Sequence, residues 1–353
     1  MANAAIPSWP GLGSQRYNFR VSTSKRILSG MRPTNPKGGH LGNYEGALRN
    51  WVNLQNEGYD MFCMVADWHA LTTLDDTESL AQNTIEITKD YVAAGIDPSK
   101  SAIFVQSHVK EHAELHVLFS MVTPLGWLER TPTYKEKKDE IEGVEREPYG
   151  LLGYPVLQTA DILLYRPFGV PVGRDQAPHL EIGNDIGIRF NRLFNREVFE
   201  TYKYLIPEDE TRAKLPGLDM RKMSKSYDNC IFLSETEDET AAKVKSAYTT
   251  PSKIKKTDPG IPEGCAVCQY LKIYSPDWES LWDEDRKGER GCMQNKSACI
   301  EAINEYFRPI RERRNALSND DVQDILKEGA KKAREVAGQT MEEVRAAMGL
   351  LRD

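Results

Sequence analysis

Long apolar runs are scarce in this chain. No stretch approaches the roughly 18 apolar residues of a membrane-spanning helix, and the N-terminus has no apolar core of a secretory signal. Both observations point away from the membrane and the export pathway, so the expected location is the cytoplasm. Acid is missing from the start of the chain: no Asp or Glu precedes Glu45, while Arg16, Arg20, Lys25 and Arg26 lie among serines. That composition also occurs in organelle transit peptides, but no clear amphipathic pattern accompanies it. Internal repeats and low-complexity tracts are absent, which excludes solenoids and fibrous arrays. Cysteine is sparse, at six in 353 residues. Without a secretory context these read as reduced thiols or metal ligands before disulfides. Cys265-x-x-Cys268 with Cys292 and Cys299 offers four thiolates to zinc or an iron–sulfur cluster. With a single close pair, unliganded thiols are the expectation. An overall basic charge is also lacking, the formal value being -7. Nucleic-acid binding would then need a local basic face. Candidates are Lys253, Lys255 and Lys256; Arg308, Arg311, Arg313 and Arg314; and Lys331, Lys332 and Arg334. The alternative for each is a solvated helix surface.

What is present is ordinary globular composition, 40% hydrophobic and 28% charged. The length favours one large domain with a smaller one appended. Arg26 to Ser29 reads as a strand, followed by a turn-rich stretch and a helical pattern through Leu41, Tyr44, Leu48, Trp51 and Gln55. Met61 to Ala66 suits a strand buried on both faces. Leu80, Ile87, Tyr91 and Ala94 suggest a helix ended by Gly95. Ala102 to Val105 and Val170 to Val172 repeat the strand signal, and Ile182, Ile186, Phe190 and Phe194 recur at helical spacing. This alternation predicts an α/β fold with a parallel sheet. Its ligands should lie beyond the carboxyl ends of the strands, where Met31 to His40, Asp67 to His69 and Gly173 to Gln176 converge. After Asp228 the pattern turns helical, over 235–247 and 320–348.

The chemistry is concentrated in a few places. Lys222-Met223-Ser224-Lys225-Ser226 sets two ammonium groups on a loop, suited to a polyanion whose charge grows during reaction, and suggests ATP. Far upstream, Pro33-Thr34 and His40-Leu41-Gly42-Asn43 sit where a glycine-rich loop enters a helix, so backbone N–H groups can face phosphate oxygens. His69 stands at a strand end beside Asp67 and Trp68. His108, His112 and His116 are spaced to share a helix face, and a packed or solvated face is preferred to a metal site because no neighbouring cysteine or acid pair completes the set. Asp161 is an acid in an apolar stretch, costly to bury without a donor. A ligand N–H would satisfy it, and so would an internal ion pair or helix cap.

Taken together, SGMRPT, HLGNYEGAL, VADWHALTT, YPVLQTADILLY, VGRDQAPHLE, KMSKS and the terminal AAMGL resemble the bacterial tryptophanyl-tRNA synthetases, a class I aminoacyl-tRNA synthetase family. The likeness runs from about Arg26 to the C-terminus. It implies an N-terminal extension (1–25), a Rossmann-like catalytic domain with a helical insertion (26–228) and a helical anticodon-binding domain (229–353). It also implies ATP with Mg2+, L-tryptophan and tRNA(Trp) as partners, and a homodimer. Carried over by motif, the nucleotide site would hold Arg32, Pro33, Thr34, His40, Gly42, Asn43, Gly173, Arg174, Asp175, Leu215, Lys222, Met223, Ser224, Lys225 and Ser226. Tyr154, His69, Gln158, Asp161 and Gln176 would surround tryptophan, with Asp161 accepting the indole N–H. Lys222, Lys225, Lys137 and His40 would serve catalysis.

The sequence departs from the family in places. The loop Asn35-Pro36-Lys37-Gly38-Gly39 is longer than usual, and Arg174 stands where relatives are often acidic. Some members bind an iron–sulfur cluster through four cysteines. Here Cys265 and Cys292 match, while Asp285 and Asn295 stand at the other two places, so no iron–sulfur cluster is expected. Rival readings are tyrosyl activation on the same scaffold, an adenylyltransferase for another small acid, and a non-catalytic RNA-binding paralogue.

Overall fold

The computed structural model describes residues 22–72, 77–131, 134, 148–173, 177–206, 212, 215–224, 227–249, 253 and 255–351. Five strands, β1 (Arg26–Met31), β2 (Asp60–Val65), β3 (Ala102–Val105), β4 (Gly169–Pro171) and β5 (Lys203–Leu205), form one sheet in the order β3-β2-β1-β4-β5. All pairings are parallel, with Met31 opposite Val65 and Ile27 opposite Gly169. Side chains alternate between faces as the pleat requires. Ile27, Met61, Cys63, Ile103 and Val105 enter one apolar cluster, and Leu28, Phe62, Met64, Ala102 and Phe104 the other. Because helices cover both faces, the strands read as unbroken apolar runs. β5 was not expected: it is three residues long and none of them is fully buried, so it carries no apolar run to detect.

The helix Leu80–Ala94 lies on the first face and stops at Gly95, whose φ of 118° places it in the left-handed region. Its Tyr91 hydroxyl donates to the Met64 carbonyl (3.1 Å) and accepts from the Met31 N–H (3.0 Å), tying together the carboxyl ends of β1 and β2. A helical run over 41–56 follows β1, with a π-helical turn at Tyr44–Leu48. Its Leu41, Tyr44, Leu48, Trp51 and Gln55 are all buried, as their spacing predicts. The other face carries Glu111–Ser120, Tyr149–Leu163 and Ala177–Phe194.

Beyond residue 229 the described chain is helical, with Glu237–Ser246, Ala266–Tyr274, Trp278–Arg286, Cys292–Ala316 and Asn319–Met348 as its main elements. Val267, Tyr270, Ile303 and Phe307 share a cluster with Ile27, Leu41, Trp51 and Tyr91, and the helix Cys292–Ala316 packs against Leu80–Ala94, so this region extends the core on the sheet's first face. The last helix, capped by Ser318 and ended by left-handed Gly349, covers the outer edge of β3. Val322 and Leu326 join one cluster, Ala330, Ala333, Ala337 and Met341 the other, and the crossing falls at Gly329. A Cβ there would lie 1.8 Å from the Ile103 carbonyl oxygen, so only glycine lets the helix close over the unpaired strand edge.

Three expectations about basic faces are corrected by this packing. Lys253 is buried against Asp285 (2.8 Å). Arg311 is buried and donates to Asn304 and Thr240, and Arg314 is buried against Asp90 and Glu86. Their charges serve internal acceptors rather than solvent or phosphate. Lys331, Lys332 and Arg334 are exposed, although Lys332 pairs with Asp60 (2.8 Å).

Candidate functional site

A cleft of about 550 Å³ opens at the carboxyl ends of β1, β2 and β4, beside the point where strand order reverses between β1 and β4. Its wall is built from the segment after β1 (Arg32, Pro33, Thr34, Gly38, Gly39), the start of the 41–56 helical run, the helix Tyr149–Leu163 and, from much later in the chain, Met223 and Ser224.

His40 caps that helical run. Its Nδ1 accepts the Asn43 N–H (3.3 Å), and the Asn43 Oδ1 accepts the His40 N–H (3.0 Å). Burial pushes the His40 pKa down to about 4, so the ring is neutral at pH 7. With Nδ1 accepting, the ring proton sits on Nε2, where it serves as a neutral hydrogen-bond donor. The Gly42 N–H points at the Met223 Sδ (3.3 Å). This contact joins the early glycine-bearing turn to the late lysine-rich loop. Asn229 fixes that loop's base by accepting the Ser224 N–H (2.8 Å) and donating to the Lys222 carbonyl (3.0 Å) and the Asp219 carboxylate (2.7 Å). An extended segment follows, pairing His40 with Phe232 and placing the Leu41 N–H on the Ile231 carbonyl (2.9 Å).

The floor of the cleft is organised around Asp161, which is 2% exposed. The Oδ1 accepts from His112 Nδ1 (2.6 Å) and Gln106 Nε2 (2.8 Å), and Oδ2 from His69 Nε2 (2.7 Å) and, more distantly, Gln106 Nε2 (3.0 Å). Burial alone would raise the Asp161 pKa, but the hydrogen bonds from His112 and His69 hold it well below the usual carboxylate range. His112 is fixed on its other side by the Tyr165 hydroxyl (2.7 Å to Nε2). With Nε2 donating to Asp161, the His69 Nδ1 is a buried acceptor without a partner, and so is the Gln158 Oε1. Tyr154 stacks at a tilt over His69, 4.3 Å between ring centres. The floor therefore presents acceptors and an aromatic wall, a surface complementary to a flat ligand bearing N–H groups.

The sequence matches the family described as tRNA synthetases class I (W and Y) over residues 22–308. This chain belongs to that synthetase family. It is 46% identical to the tryptophan–tRNA ligase of Thermotoga maritima, covering 92% of this chain and 99% of that one. Against the tryptophan–tRNA ligase of Aquifex aeolicus it is 40% identical, over 92% and 100% of the two chains. Among solved structures, the tryptophanyl-tRNA synthetase of Campylobacter jejuni complexed with ADP and tryptophan superposes with a TM-score of 0.82 at 35% identity, covering 92% of this chain and 100% of that one.

Within this class I synthetase, Arg32, Pro33, Thr34, His40, Asn43, Met223, Ser224, His69, Tyr154, Gln158 and Asp161 all line the one cleft. Gly42 lies just behind the wall through its contact with Met223. Gly173 follows β4 and is exposed, and so is the Lys222 side chain. Leu215 is buried within the first apolar cluster rather than on the cleft wall. Lys137, Arg174, Asp175, Gln176, Lys225 and Ser226 lie outside the described residues.

Gln106, His112 and Tyr165 were not anticipated as site residues. Gln106 follows the carboxyl end of β3 directly, so the strand-end rule that singled out His69 also reaches it. For His112 the spacing pointed the wrong way. His108 belongs to a separate 3-10 turn, and the acid that His112 pairs with comes from another helix, 49 positions away.

Cys265, Asp285, Cys292 and Asn295 line one small cavity together with Lys253, and Asp285 takes hydrogen bonds from both Lys253 and Asn295 (2.8 Å each). A hydrogen bond from Cys268 lowers the Cys265 thiol to about 7. Among the described residues, no group of three or more His, Cys, Asp or Glu side chains is arranged to hold a metal ion.

Proposed function

We propose that this chain is a tryptophan–tRNA ligase, which activates L-tryptophan with ATP and transfers it to tRNA(Trp). The observation that carries the reading is the joining, in one cleft, of the HLGN turn, the Met223 loop and an acceptor-lined floor around Asp161. The 46% and 40% identical relatives bear that activity in their names.

The chemistry needs no protein nucleophile. A carboxylate oxygen of tryptophan attacks the α-phosphorus of ATP in line, the bond to the bridging oxygen breaks, and pyrophosphate leaves with its electron pair. A terminal ribose hydroxyl of the tRNA then attacks the activated carbonyl carbon and releases AMP. For the first step the protein supplies alignment and charge stabilisation. Neutral His40 offers its Nε2–H to a phosphate oxygen without presenting a fixed cation to the incoming carboxylate. Lys222, Lys225 and Lys137 neutralise the departing pyrophosphate, and Mg2+ arrives with ATP as part of the substrate. His69 Nδ1, set as an acceptor because its Nε2 donates to Asp161, and Gln158 Oε1 are the acceptors offered to the indole N–H and to a further ligand donor.

The helical segment 229–353 takes the tRNA anticodon in this reading, and the active species is a homodimer. Val117, Met121, Leu125 and Tyr149, on or beside the helices Glu111–Ser120, Leu125–Leu128 and Tyr149–Leu163, are 49%, 72%, 58% and 63% exposed, and the first and last of these helices meet through His116 and Tyr149. Exposed apolar side chains of this kind favour an interface with a second copy. No described helix is long and apolar enough to cross a membrane.

ATP–pyrophosphate exchange measured with tryptophan, with tyrosine and with no amino acid tests the activity. Exchange that depends on tryptophan supports it, whereas preference for tyrosine or exchange without amino acid contradicts it.

A further inference from the structure

The loop that leads into HLGN is held from below by a residue that does not line the cleft. Asp90, fully buried on the helix Leu80–Ala94, accepts the Gly39 N–H through Oδ2 (2.6 Å). Its Oδ1 accepts from Arg314 Nε (2.7 Å), and the same guanidinium reaches Glu86 Oε2 (2.5 Å). Arg314 belongs to the helix Cys292–Ala316, more than 200 positions away from the loop, and its neighbour Arg313 donates to the Ala93 carbonyl (2.8 Å). The loop is shaped to this carboxylate. Gly38 has φ +75°, and a Cβ there would lie 2.1 Å from Asp90 Oδ2. On the opposite side the Gly39 carbonyl accepts the Leu233 N–H (2.9 Å), from the segment that follows the lysine-rich loop.

Gly39 is thus gripped at its N–H by Asp90 and at its carbonyl by residue 233, and it is followed at once by His40. We propose that Asp90 is a positioning residue for adenylate formation, setting the height of the Gly38–His40 turn against ATP while Arg314 of the helix Cys292–Ala316 holds Asp90 in place. The pair makes the helical region part of the nucleotide site's support. Burial pushes the Asp90 pKa up to about 6 against the pull of Arg314, leaving it ionised and a strong acceptor at pH 7.

The inference rests on the activity proposed above, and its test separates the two. The full chain and its Asp90→Asn, Arg314→Met and Arg314→Lys variants are compared by tryptophan-dependent ATP–pyrophosphate exchange, by tryptophan binding without ATP, and by thermal unfolding. Asp90→Asn preserves shape but turns one of its two acceptors into a donor, facing either Gly39 or Arg314. Its kcat/KM for ATP should fall about 10- to 100-fold, the scale of a small misplacement of a reacting group, with tryptophan affinity within about twofold of the parent. Arg314→Met should lose a similar factor and Arg314→Lys, which keeps a cation, a smaller one. Should Asp90→Asn fail to fold, the two Arg314 variants decide. Folded variants with ATP kinetics within about twofold of the parent, or with tryptophan affinity falling in step with ATP, overturn the proposal. An inactive parent would instead refute the activity.

Discussion

Replacing Asp161 by Asn removes one charge from the floor of the cleft while keeping its shape. The carboxylate has about four lone-pair sites, and His112, His69 and both branches of the Gln106 contact fill them. An amide can accept on one side only. His112 is committed to donating from Nδ1, because its Nε2 accepts the Tyr165 hydroxyl, so the amide oxygen should turn towards His112 and Gln106. The amide NH2 then faces His69 Nε2, and His69 can adapt because its Nδ1 has no partner and can take the proton.

Three charge-assisted bonds, from His112, Gln106 and His69, become neutral ones and the longer Gln106 branch is lost, each a change of about 1 kcal/mol, so the fold should lose about 3–4 kcal/mol and survive. Function suffers as well. The former acceptor floor now carries an N–H at His69, directed at a ligand that also brings N–H groups. Sites built to bond a ligand's polar group discriminate by about 10⁴ against an analogue lacking it. In Asp161→Asn the kcat/KM preference for tryptophan over phenylalanine should shrink by about 100-fold or more. Exchange kinetics with tryptophan, tyrosine and phenylalanine, alongside urea denaturation, measure both quantities. A stable variant that keeps the parent's full preference would show that Asp161 does not set the acceptor at His69 that reads the indole.

Neutral His40 makes the fold sensitive to acid. Its pKa is about 4 in the native protein against about 6.5 when unfolded, so the unfolded chain takes the proton first. The stability due to burying the neutral ring is full above about pH 6.5 and erodes as pH falls to about 4, by roughly 3 kcal/mol in total. Stability measured against pH for the parent and His40→Asn should therefore diverge over that window, and parallel curves would contradict the assignment. Gly42→Ala would set a Cβ 3.0 Å from His40 Nδ1 and 3.3 Å from Met223 Sδ. We expect exchange kcat to fall by about tenfold with little change in thermal midpoint, because the contact between the two loops shifts while the core does not; unchanged kcat would argue that the contact has no role. Gly329→Val should cost about 3 kcal/mol or more by forcing the last helix off β3, as read by denaturant midpoint, and a loss below about 1 kcal/mol would show that the helix edge can yield.

The parallel sheet was legible because strands buried on both faces carry unbroken apolar runs, as in Met61 to Ala66, and because Gly95 marks a helix end by its conformational freedom. The convergence of strand-end loops was readable by the same logic. The floor of the site was less so. Asp161 stood out as an acid among apolar residues, but its partners come from β3's end and a neighbouring helix, and no local spacing links them. Arg311 and Arg314 looked like a solvated basic face because sequence shows charge but not the buried acids and hydroxyls that meet it from distant segments. The ion pair of Lys253 with Asp285 was hidden for the same reason.

The claim on which the rest depends is that acceptors at the cleft floor select an N–H-bearing heterocycle. The most direct measurement is exchange kinetics with tryptophan against its benzothienyl analogue, which keeps the ring shape and replaces the N–H with sulfur. A kcat/KM lower for the analogue by about 10³-fold or more is the expected result, in line with an unpaired buried acceptor. Equal kcat/KM for the two would contradict it.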